Sequence, residues 1–124
     1  MTIEKKNTLL VVEDDTSLLN LYKQLFEKYG FEVYTATDGE KGLEIYKEND
    51  DIAVVILDMM LPGISGDEVL LEIQKIKPEQ QVIICSGYQV KNEFPGNIHI
   101  LQKPFLTPTL LEMVNDAAAR SAST

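Results

Sequence analysis

Short, unbroken apolar runs alternate with longer amphipathic stretches five times along this chain, and that alternation restricts its fold more than any other feature. Residues 8–12 read Thr-Leu-Leu-Val-Val, residues 31–36 carry Phe31, Val33 and Tyr34, and residues 52–57 are apolar throughout. Residues 82–85 and 98–101 complete the set. A strand with one wet face alternates apolar and polar side chains, whereas a strand covered on both faces has no need to. These runs are therefore predicted as strands sandwiched between helices. After the first, Leu18, Tyr22, Leu25, Phe26 and Tyr29 recur at helical spacing, with Thr16 or Ser17 near the start and Gly30 as the stop. Residues 38–49 form a second predicted helix with Leu43 and Tyr46 on one side. Residues 66–77 form a third, showing Val69, Leu70, Ile73 and Ile76 and stopped by Pro78. Residues 106–119 form a last one, with Leu110, Met113, Val114 and Ala117 as its apolar side. Such alternation predicts an α/β fold, a doubly wound five-stranded parallel sheet with helices on both faces and right-handed crossovers.

Length and composition narrow the function. The 124 residues are one domain's worth, read as a single unit 1–124 with a core of about 8–119. At 44% hydrophobic residues, the chain has the composition of a globular domain. Eleven basic against twenty acidic residues give a net charge of −9, which disfavours direct nucleic-acid binding and an anionic membrane surface. The longest apolar run, 52–57, is far too short for membrane insertion. The polar N-terminus has no signal-peptide character, and one cysteine makes no internal disulfide, so a cytoplasmic location is expected.

In sheets of this kind ligands bind beyond the carboxyl ends of the strands, where the strand order reverses. The residues there are Glu13 and Asp14 after the first strand, Asp58 after the third, Ser86 at the fourth and Lys103 just after the fifth. Each has an ordinary role available. Asp14 or Asp15 can cap the first helix, Asp58 can open the turn before Pro62, Ser86-Gly87 can be a turn, and Lys103 can be solvated. Their convergence at four separate strand ends favours chemistry. Clustered carboxylates repel one another, and a divalent cation relieves the repulsion; Mg²⁺ prefers oxygen ligands. A carboxylate beside such a cation can act as a nucleophile toward phosphorus, with a hydroxyl and a lysine to stabilise the phosphoryl oxygens.

The ordered pieces Leu10-Val11-Val12-Glu13-Asp14-Asp15, Thr37-Asp38-Gly39, Leu57-Asp58, Leu61-Pro62-Gly63 with Gly66, Ser86-Gly87 and Lys103-Pro104-Phe105 resemble a response-regulator receiver domain of two-component signalling. The resemblance implies the strand order 2-1-3-4-5. It implies Asp58 as phosphoacceptor, with Ser86 and Lys103 assisting. It implies a metal site of Glu13, Asp14, Asp58 and the backbone carbonyl of Met60, holding Mg²⁺ with Mn²⁺ as a possible substitute. Asp14 would be the closer ligand and Glu13 would act largely through water. The partners implied are a sensor histidine kinase or His-phosphotransfer domain and an unknown downstream protein. Such a domain is not an enzyme in the usual sense, since it promotes only its own phosphorylation and dephosphorylation.

The sequence departs from the family in two places. Ile100 stands three residues before the lysine, where the family often carries a switching aromatic, and strand alternation turns its neighbour His99 to the other face. Residues 87–97 include Gly87, Pro95 and Gly96, so the helix usual between the fourth and fifth strands is expected to be short or irregular. Any signal is then expected to pass through backbone order in that segment. Cys85 is expected to be buried and inert. Three other readings fit less well. A haloacid-dehalogenase-type phosphatase needs an aspartate where Met60 stands, and a phosphate-binding loop needs glycines where the acidic cluster stands. A phosphorylation-independent receiver-like binding module has no need of Asp58, Ser86 and Lys103 together.

Overall fold

A computed structural model of the chain describes residues 7–87 and 94–122. The apolar runs are strands β1 (Thr8–Val12), β2 (Glu32–Ala36), β3 (Ile52–Asp58), β4 (Gln81–Ser86) and β5 (Ile98–Gln102). The helices among the described residues are α1 (Thr16–Lys28), α2 (Gly39–Glu48), α3 (Gly66–Ile76) and α4 (Thr107–Ala122). The strands form one parallel sheet in the order β2-β1-β3-β4-β5, as expected. The segment predicted to hold a short or irregular helix falls largely on residues 88–93, outside the described residues.

The covered strands are explained by two cores. One face packs Leu9, Val11, Val54 and Ile56 of the sheet against Leu19, Tyr22 and Phe26 of α1 and Leu110, Val114 and Ala117 of α4. The other packs Leu10, Val12, Val55 and Leu57 against Leu43 and Tyr46 of α2 and Val69, Leu70 and Ile73 of α3. Every residue of β1 and β3 is buried. Each such Leu, Ile or Phe contributes about 1.5–3 kcal/mol relative to exposure.

Local chemistry sets the helix ends. Asp15, one of the two capping candidates, caps α1 by accepting from the Leu18 amide at 3.1 Å, and the helix starts at Thr16. Asp38 caps α2 in the same way through the Lys41 amide, at 2.8 Å. At the end of α1, Gly30 (φ +91°) follows the Tyr29 C-cap, and the Phe31 amide reaches back to the Phe26 carbonyl at 3.1 Å. The Gly30 amide donates to the Glu27 carbonyl, and the Phe26 and Phe31 rings meet edge to face, 6.1 Å apart. Together these form a Schellman stop with its hydrophobic contact. Tyr29 and Ile76 were expected on apolar faces but are 57% and 49% exposed, because each sits at a helix end that has turned away from the core.

Candidate functional site

Strand register brings the predicted residues to one edge. In the sheet, Val12 of β1 lies beside Leu57 of β3, so Glu13 and Asp58 emerge next to each other at the point where the strand order reverses. Asp58 pairs with Cys85 of β4, which places Ser86 one residue further on. Ser86 pairs with Gln102 of β5, and Lys103 follows directly. The Lys103 amide donates to the Ser86 carbonyl at 2.6 Å, closing β4 and β5 together at this end. Between β3 and α3, the Gly66 amide donates to the Met59 carbonyl at 3.3 Å, seating the connecting loop on the end of β3.

The side chains form a compact charged cluster. Glu13 and Asp58 are buried, at 4% and 6% exposure, while Asp14 is open to solvent. Lys103 Nζ lies 3.5 Å from Asp58 Oδ2 and 3.6 Å from Glu13 Oε1. The other Asp58 oxygen, Oδ1, accepts from the Met60 amide at 3.1 Å. The Asp58 carboxylate is thus held through both of its oxygens. Burial pushes Glu13 up to about 7, and its hydrogen bond to Asp58 and the Asp58 charge push the same way, against the opposing pull of Lys103. Burial pulls the Lys103 ammonium down, but the charges of Asp58 and Glu13 outweigh it and hold its pKa above the ordinary lysine value. Cys85 is buried, and burial chiefly pushes its thiol up to about 12, so it carries almost no thiolate at neutral pH.

Glu13, Asp14 and Asp58 each offer a carboxylate oxygen, and the three oxygens lie within 4.8 Å of one another. An all-oxygen set with two buried members and one open side fits a hard divalent cation that keeps part of its water. The positive charge already present, Lys103, cannot neutralise three carboxylates alone.

Most of the predicted residues therefore meet. Glu13, Asp14, Asp58 and Lys103 cluster, Ser86 is fully buried at the adjoining strand end, and Met60 contributes its amide to Asp58. His99 is half-buried, with Nε2 2.9 Å from Gln81 Oε1, away from the cluster. Ile100 is half-buried on β5. Two features gain their physical meaning only from the structure. Gly66 fits only because it lacks a Cβ, which would stand 2.6 Å from the Met59 Cα and 2.9 Å from the Asp58 carbonyl. Beside Lys103 a cavity of about 470 Å³ opens between α1 and the start of α4, walled by Leu18, Leu21, Tyr22, Pro104 and Phe105. The 55% exposure of Leu21 is its one legible sign, and it needs the structure to be read.

Comparison with known proteins agrees with the geometry. The family model for the response regulator receiver domain matches residues 9–115. A transcriptional regulatory protein from Haemophilus influenzae, a CpxR homolog, is 34% identical over 119 residues, covering 93% of this chain. The chain spans 52% of that relative's length. Among solved structures, a receiver domain protein from Clostridium thermocellum is 35% identical with a TM-score of 0.83, covering 94% of this chain and 97% of its own. The Thermotoga maritima response regulator TrrA, solved in complex with Mg²⁺-BeF, is 31% identical with a TM-score of 0.80, covering 90% of this chain and 98% of its own.

Proposed function

Because the chain belongs to the response regulator receiver domain family, we propose that it receives a phosphoryl group on Asp58 and changes conformation in response. One observation carries this reading. Asp58 ends the central strand, buried, with Glu13 and Asp14 beside it and Lys103 Nζ 3.5 Å from its carboxylate. In the proposed step, an Asp58 carboxylate oxygen attacks the phosphorus of a phosphohistidine. The phosphorus–nitrogen bond breaks, the imidazole keeps its electron pair and takes a proton, and an acyl phosphate forms on Asp58. Later attack by water breaks the new phosphorus–oxygen bond and returns carboxylate and inorganic phosphate. Phosphoryl transfer of this kind rests on positioning and charge stabilisation.

Each residue has a task in that scheme. The Met60 amide and Lys103 orient the Asp58 carboxylate. Lys103 and the Ser86 hydroxyl follow the phosphoryl oxygens as charge builds on them. Glu13, Asp14, Asp58 and the Met60 carbonyl would hold Mg²⁺, or Mn²⁺ in its place. The ion would supply positive charge against the phosphoryl oxygens. The TrrA complex with Mg²⁺-BeF supports this reading by analogy. The phosphoryl donor would be a sensor histidine kinase or a His-phosphotransfer domain, and a downstream protein would read the result. Residues 1–124 act in this proposal as one receiver unit, which turns over no substrate beyond its own phosphoryl group. The phosphorylation-independent binding module is not favoured, since the acceptor, the lysine and the acidic pair stand together.

Acetyl phosphate tests the proposal without a protein donor. With Mg²⁺ the wild-type chain should gain one acid-labile phosphoryl group, and with chelator it should gain none. Asp58→Asn should gain none under either condition. Equal labelling of that variant would overturn the assignment.

A further inference from the structure

The end of the sheet opposite Asp58 carries two adjacent glutamines, Gln80 and Gln81, that are only 3% and 8% exposed. Glutamine is mostly a surface residue, so a buried pair at the start of an apolar strand calls for a reason. Every polar atom of the Gln80 side chain is engaged. Its Oε1 accepts from the Tyr46 hydroxyl of α2 at 2.8 Å, and its Nε2 donates to the carbonyls of Ala53 and Gln81, each at 3.1 Å. Asn97, just before β5, donates through Nδ2 to the carbonyls of Gln80 at 2.8 Å and Pro78 at 2.9 Å. Its own carbonyl accepts from the Val82 amide at 3.0 Å. Gln81 Oε1 meets His99 Nε2 of β5 at 2.9 Å, and an amide oxygen only accepts, so Nε2 is the donor. At this end β4 is thus bound by side chains to α2, to β3, to β5 and to the approach to β5.

The end near Asp58 is held differently. There backbone bonds, as from the Lys103 amide to the Ser86 carbonyl and from the Met59 amide to the Cys85 carbonyl, stand beside side-chain links that run to the Asp58 carboxylate itself, from Lys103 Nζ at 3.5 Å and from the Met60 amide at 3.1 Å. A satisfied buried network resists displacement, because moving one member strands the desolvated partners of the others. The charge change on Asp58 therefore acts on the end of the β4–β5 pair whose side-chain links run to Asp58, while the far end is tied by amide side chains whose partners phosphorylation leaves unchanged.

We propose that the Tyr46–Gln80–Asn97 network, with the Gln81–His99 contact, is the fixed base of the β4–β5 pair. Displacement that starts at Ser86 and Lys103 on phosphorylation dies out along the strands before it reaches this base. Asn97 is the positioning residue that stops it. The inference rests on the Asp58 reading above.

Amide hydrogen exchange on the full chain tests it, with acetyl phosphate and Mg²⁺ as the phosphorylating agent and intact mass reporting occupancy of the same sample. In the wild type, phosphorylation should alter protection of the Lys103 amide and leave the Val82 and Ile98 amides unchanged. In Asn97→Ala, phosphorylation should alter those two amides as well, by about tenfold, the factor expected when roughly two net hydrogen bonds are lost. Gln81→Met, which removes the contact to His99 and leaves Asn97 in place, replaces that variant if it does not fold and should extend the response to Ile98. A merely structural role would lower protection equally with and without phosphoryl group, and that result overturns the proposal. A wild-type response at Val82 and Ile98 equal to that at Lys103 overturns it too. Failure to gain the phosphoryl mass overturns the Asp58 reading, and this inference with it.

Discussion

At the scale of single residues, the acidic cluster is held together against its own repulsion. Glu13 is buried beside Asp58, and that burial, with the neighbouring carboxylate, works against its charged form. Asp14 is exposed, so its carboxylate can meet a partly hydrated cation at the surface of the site, which makes it the readier ligand. Asp14→Ala should therefore weaken Mg²⁺ binding more than Glu13→Ala, as measured by calorimetric titration. Glu13→Ala should instead raise stability in the absence of metal, by about 1 kcal/mol, since it removes a desolvated carboxylate from a like-charged neighbour. Equal Mg²⁺ affinity in wild type and Asp14→Ala would contradict this division of labour. The site residues were legible in the sequence because they are polar residues that interrupt apolar runs at strand ends. Their distances were not. That Lys103 reaches past β4 to Asp58 depends on strand order and side-chain direction together.

At the scale of elements, the glycines separate two kinds of constraint. Gly30 occupies a left-handed position at the end of α1 with open space around it, so Gly30→Ala should cost about 1 kcal/mol through backbone strain alone. Asp58 phosphorylation by acetyl phosphate should proceed at the wild-type rate in that variant. Gly66 has ordinary backbone but no room, and the atoms in its way are the Met59 Cα and the Asp58 carbonyl. Gly66→Ala should cost about 1–3 kcal/mol by overpacking and should also slow phosphorylation, since the relief moves the end of β3. Chemical denaturation and a phosphorylation time course on the same two proteins separate the cases. An unchanged rate in Gly66→Ala would show that the loop moves without carrying Asp58. Most elements were legible from periodicity, which fades only at their ends. Ile76 and Tyr29 fit the helical spacing, yet each closes a helix where no core remains to cover it. Gln80 and Gln81 went unread because polar residues before an apolar run look like a turn.

At the scale of the whole molecule, the parallel sheet explains why a chain with a net charge of −9 can concentrate acids at one edge and still fold. The two cores that flank the sheet leave only its strand ends for chemistry, and the order β2-β1-β3-β4-β5 sets Asp58 near the middle of that edge. The fold was readable from the sequence because covered strands cannot hide their apolar character. The path from the site to a reading partner was not, because a conformational change is a difference between two states. Whether Asp58 accepts the phosphoryl group can be read in the unaltered protein. Wild-type chain phosphorylated with acetyl phosphate and Mg²⁺ can be reduced with borohydride, which converts an aspartyl phosphate to homoserine, and then mapped by peptide mass spectrometry. Homoserine is expected at position 58 and nowhere else. Homoserine at position 14 or 15, with aspartate intact at 58, would contradict it.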